Sequence, residues 1–216
     1  MKTATLCLIG LVGAGVAAAQ QEMARQEISV RVCNAVRVPE PTLEAAEKEA
    51  MFVLGTAGVG VKWLDCSTAT MERELGPRDF VLTLAGFRST NEKGRFVKQI
   101  MGGTWDLDRG TKESHLTVYY NAVKEFVSNN GKGDELSILL GYALAHEFGH
   151  LFMGKQHTHE GVMRRDWGSG DLDLMKQNGV RFSAVERERI QRELLERDGV
   201  WNDPTLLAAA KSRLFR

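Results

Sequence analysis

Cysteine and proline are scarce in this chain, with three of the first and four of the second in 216 residues. Net charge is lacking altogether, because 28 basic residues are matched by 28 acidic ones. A balanced chain offers no electrostatic reason for nucleic acid or an anionic membrane to be its main partner. Internal repeats, low-complexity tracts and a dividing linker are all missing, as is a second membrane-type apolar run after the first nineteen residues. With 43% hydrophobic residues, what is left is one globular domain large enough to bury a core.

The opening segment "MKTATLCLIGLVGAGVAAA" has one Lys, an apolar run of small residues and then Ala17, Ala18 and Ala19. This layout predicts a secretory signal peptide over 1–19, cleaved near Ala19, and a single mature domain over 20–216. An uncleaved anchor is the alternative, although the run is short for a span of ~20 residues. Export, to a periplasmic or extracellular space, would remove Cys7 and leave Cys33 and Cys66 as an even pair in an oxidising compartment. A single disulfide is the natural reading, with two buried free thiols as the alternative.

Alternation in "EISVRVCNAVRV" from Glu27 predicts a half-buried strand. Helical spacing of Leu43, Ala46, Ala50, Phe52, Val53 and Leu54 then predicts a helix, with Thr42 as N-cap and Gly55 and Gly58 near its stop. "VGVKWLDC" follows as a second strand, which makes a βαβ unit with parallel pairing. Further strands are expected at "DFVLTLAGF" and "HLTVYYNAV", and "GGTWDLD" between them is a short strand or a loop. From Asp134, "DELSILLGYALAHEFGHLFMG" reads as a helix buried against the sheet and stopped at Gly154. "GSGDLDLMKQNG" is expected to be an irregular loop with at most one short turn, and "SAVERERIQRELLERDG" a charged helix opened by a Ser183–Glu186 capping box.

Four of the five histidines, His146, His150, His157 and His159, fall within residues 146–159. Positions i and i+4 of a helix share a face, so His146 and His150 can hold one zinc ion at ~2.0–2.1 Å. Glu147 stands on the flank of that face, where a carboxylate can act as general base toward a water without ligating the metal.

"HEFGHLFMGKQH" followed by "GVM" resembles the signature of the metzincin clan of zinc endopeptidases, HExxHxxGxxH and then a turn bearing a methionine. The resemblance implies His146, His150 and His157 as zinc ligands, Glu147 as the base, Gly154 as the helix-exit turn and Met163 as the methionine of the turn. It also implies a mixed α+β/α/β fold: a twisted, mostly parallel sheet with an antiparallel edge strand, packed on two long helices, plus a C-terminal helix. The order of elements before the motif runs the same way as in the family. The specific part of the match is confined to residues 146–163.

One departure stands out. The family has two residues between the second His and the Gly, and this chain has three, "LFM", so Gly154 and His157 each fall one place late. An added residue turns a helix by ~100°, so a bulge or an altered exit must absorb it. Gln156 then occupies the family's ligand position. His157 is favoured as third ligand because His159 stands only four residues before Met163, leaving little chain for a turn; His159 stays open, and Glu160 is an outside alternative. Met163 could instead be core.

The resemblance further implies that an extended peptide pairs with an edge strand, here assigned to His115–Ala122, with Tyr119 and Tyr120 lining a cleft. Arg164, Arg165 and Trp167 could shape a side-chain pocket, or be surface arginines beside a core Trp, and His115 is expected to be structural or exposed. Only "QQEMARQ" separates the expected cleavage site from the first strand, so an inhibitory prosegment is not expected. The implied activity is that of a secreted, monomeric zinc endopeptidase. The competing reading is a secreted zinc-binding or partner-binding protein that keeps the site without the activity.

Overall fold

The computed structural model describes residues 26–67, 75–86, 101–105, 114–130, 135–199 and 205. The expected signal segment 1–19 lies outside the described residues.

Strand β1 (Gln26–Asn34) buries Ile28, Val30 and Val32, every second residue, as a pleated strand against a core must. Helix α1 (Glu40–Gly55) buries Leu43, Ala46, Ala50, Val53 and Leu54 and returns the chain to β2 (Val59–Asp65). β1 and β2 pair in parallel, completing the βαβ unit. Two details differ from the sequence expectation. Helix α1 begins before Thr42, after Pro39 and with Pro41 in its first turn, because a proline ring presets the helical φ where no donor is needed. Phe52 faces outward at 40% exposure, beneath the Arg181 guanidinium.

β3 (Asp79–Ala85) pairs in parallel with β1, β5 (His115–Tyr119) in parallel with β3, and β4 (Gly102–Trp105) antiparallel with β5. The sheet therefore runs β2-β1-β3-β5-β4, mostly parallel with one antiparallel edge. This corrects the assignment of His115–Ala122 as the free edge. β5 is paired on both sides, and the chain turns helical at Tyr120, opening α2 (Tyr120–Asn130). Buried Tyr120, Val123, Phe126 and Val127 recur at three- and four-residue steps, a helical stripe hidden behind the strand-like "HLTVY".

α3 (Leu136–Met153) is the central helix, touching α1, α2, β4, β5 and the two later helices, α4 (Ser169–Lys176) and α5 (Ala184–Arg197). Helix α3 overturns the reading that no second membrane-type apolar run follows the first nineteen residues, because its mean hydropathy of 1.2 over 18 residues suits a membrane span by length and composition. Here that apolar surface forms the core, since Leu139 to Ala145 and Phe148 are buried. The N-terminus of α3 is tied to α4, with Lys176 donating to the buried Glu135 carboxylate at 2.7 Å. α4 replaces the expected irregular loop. Gly168 opens it, with Asp171 accepting from the Gly168 N–H at 2.7 Å.

α5 carries the expected capping box: the Ser183 hydroxyl accepts from the Glu186 N–H, and the Glu186 carboxylate from the Ser183 N–H. Its apolar side buries Ile190, Leu194 and Leu195, while Val185 stays exposed at 62%. A disulfide joins Cys33 on β1 to Cys66 just past β2. The parallel register brings them together: Val32 stands opposite Asp65, so the next residue on each strand is a cysteine, with Cα atoms 4.9 Å apart.

Candidate metal centre

The last turns of α3 put His146 and His150 one above the other, with ring centroids 4.6 Å apart. The helix continues through Met153 and stops at Gly154, whose N–H still donates to the His150 carbonyl at 2.9 Å. Gly154 has φ 77° and ψ −169°, a backbone state open essentially to glycine alone. At that residue the chain leaves the axis, and three residues later His157 faces the helical pair, its ring 5.4 Å from His146 and 4.8 Å from His150. The extra residue is thus absorbed by a helix carried to Met153 and an altered exit, with no bulge.

The metal-binding atoms of His146, His150 and His157 all lie within 4.8 Å of one another, and these three side chains could hold a metal ion. His159 and Glu160 are exposed and outside the group. Gln156 points away, its carbonyl oxygen accepting from Arg189 at 3.1 Å. His115 sits half-buried on β5, opposite Trp105 and Val81 and away from the cluster.

Two of the rings are fixed through their second nitrogen. His146 Nδ1 lies 2.7 Å from the Val162 carbonyl and His150 Nδ1 3.0 Å from the Gly154 carbonyl. A carbonyl only accepts, so each Nδ1 carries the proton and each Nε2 presents its lone pair, the arrangement that orients imidazoles toward a metal. Burial holds the His146 pKa down to about 4 against the opposing pull of the Val162 hydrogen bond, and His150 and His157 lower it further. Burial, His150 and Arg165 lower His157, with Asp166 opposing. Neutral rings are what metal ligation requires.

Beneath the pair, Met163 is 1% exposed and its sulfur lies against Gly149, where a Cβ would come within 2.2 Å of it. The Trp167 ring meets His146 edge-on at 5.3 Å, and its indole is packed against the core. Arg164 is engaged by Asp171 at 2.6 Å, so of the two arginines only Arg165 is left to face the histidines electrostatically.

Glu147, between the histidines in sequence, is buried and its Oε2 has no hydrogen-bond partner among the described residues. Burial pushes its carboxyl up to about 8. Its side chain rests on the edge strand: a Cβ at Gly102 would stand 2.5 Å from Cγ, Cδ and Oε1 of Glu147. Gly102 and Gly149 are site residues that composition and motif alone passed over. A glycine inside a strand or a helix costs stability, so its presence signals a close approach. Tyr120, expected to line a cleft, is instead buried at the head of α2 under Lys124, and Tyr119 donates its backbone N–H to Met101 at 2.7 Å.

The chain matches no protein-family model and no curated protein. The site must therefore be read from its own chemistry.

Proposed function

We propose that this chain is a metzincin-type zinc endopeptidase acting in an oxidising, exported compartment. The observation that carries the reading is the convergence of three imidazoles beside a buried carboxyl with one oxygen unpartnered among the described residues. Supporting it are the antiparallel edge strand next to the active helix, the buried methionine under the histidines, and the disulfide, which is at home outside the cytosol.

His146, His150 and His157 would hold the ion, and three imidazoles suit zinc among the borderline metals while leaving a coordination position open. A zinc ion there supplies Lewis acidity, polarising a carbonyl and lowering the pKa of water to about 7. Glu147 then serves as general base: its carboxylate takes a proton from the attacking water and delivers it to the leaving amine. The absence of a side chain at Gly102 leaves the room that carboxyl occupies. The peptide would lie extended along β4, the outermost of the described strands on the side of Glu147, in place of the internal strand β5.

The test compares bound zinc and hydrolysis of a mixed peptide library in the wild type and in Glu147→Gln. Zinc should be retained and hydrolysis should fall by roughly a hundredfold or more. Stoichiometric zinc with no wild-type hydrolysis would replace this reading with that of a metal-binding protein.

A further inference from the structure

We propose that helix α5 is the positioning element for the third ligand, acting through the residues on either side of His157. The inference rests on the metal reading of the three histidines. His146 and His150 are each oriented by a hydrogen bond from their own ring. Among the described residues the His157 ring has no such partner, and the residue is exposed, so its aim is set by the backbone that carries it.

That backbone is held on both flanks by the first turns of α5. Before His157, Gln156 accepts from Arg189 at 3.1 Å. After it, the Thr158 hydroxyl lies 3.1 Å from Oε1 of Glu186 and 2.8 Å from the Glu160 carbonyl. Glu186 is 5% exposed, and its other oxygen accepts from the Ser183 N–H at 2.6 Å. One carboxylate thus caps α5 and anchors the loop that delivers the ligand. The Thr158 N–H also donates to the Met163 carbonyl at 2.9 Å, so the anchor secures the turn as a closed unit. The Arg189 contact is exposed and contributes little. The buried Glu186 carboxylate is the stronger hold, since a hydrogen bond to a charged group outweighs a neutral one. A ligand displaced one residue along the chain from its expected spacing needs such an external hold, because the helix that supplies the other two no longer dictates where it falls.

The experiment is a Co²⁺ titration of the metal-free protein, followed by visible absorption and by competition with a chelator. Thr158→Val removes the hydroxyl and leaves the α5 cap intact. Its Co²⁺ dissociation constant should rise about tenfold, with a changed absorption band, at a temperature where the metal-free variant is still fully folded by circular dichroism. Thr158→Ser should restore both affinity and band, and in a Glu186→Ala background, which removes the acceptor, Thr158→Val should add no further loss. Wild-type affinity and spectrum in Thr158→Val would overturn the positioning role alone, as would an equal loss in Thr158→Ser. Failure of the wild type itself to bind Co²⁺ would overturn the metal reading and this inference with it.

Discussion

Gly149 stands between the two helical histidines with Met163 sulfur filling the space a side chain would need. In an open helix, alanine there would stabilise the protein by about 1 kcal/mol. Here steric overlap with Met163 and Phe182 reverses the sign. Gly149→Ala should destabilise by ~1–3 kcal/mol in denaturant unfolding. Met163→Ala in that background should recover part of the loss, because it removes the clashing atom. Gly102→Ala poses the same question on the opposite side, since its methyl group must displace the Glu147 carboxyl. Peptide hydrolysis should fall in that variant while bound zinc stays stoichiometric. The pairing of His146 with His150 was legible because their spacing is a property of the helix itself. Gly102 was not, because its partnership with Glu147 is made across the fold.

At the scale of elements, α3 does two jobs at its last turn. It ends the core and launches the ligand loop, and both depend on the backbone of Gly154. No atom crowds a Cβ there, so Gly154→Ala isolates backbone strain, expected at about 1–3 kcal/mol and readable as a lower unfolding temperature. The helix and its glycine stop were readable from the sequence. The choice of His157 over His159 needed the exit angle, which spacing alone does not supply. Elsewhere, β-rich "HLTVY" running straight into α2 concealed a boundary, and α4 was concealed by its glycines, which sit at its start.

Helix α1 lends itself to a pH test. Burial, then Glu40 and Glu44 on the same helix, push the Glu47 carboxyl from 4.5 up to about 7. A raised folded pKa means the folded state holds the proton more tightly. The stability this group adds is complete below pH 4.5 and is lost as pH rises toward 7. Glu47→Gln should therefore leave the unfolding temperature unchanged near pH 4 and raise it near pH 8, as measured by calorimetry at both values.

For the whole molecule, parallel order and the early βαβ unit followed from the alternation of strand and helix patterns. The inward position of β5 did not, since a strand's neighbours are chosen by the assembled sheet. The disulfide closes a loop between residues 33 positions apart in sequence. Loop-closure entropy over that length corresponds to roughly 3.5–4 kcal/mol. Replacing both cysteines with alanine should lower unfolding stability by that order, and reducing agent should have no further effect on the variant.

The same bond gives the molecule a covalent ring. Helix α1 and the whole of β2 lie between Cys33 and Cys66, so a single nick within that stretch would release no fragment. A proteolytic cut in the ring would leave a two-chain protein held together under non-reducing electrophoresis, falling apart only when the sulfur bridge is opened.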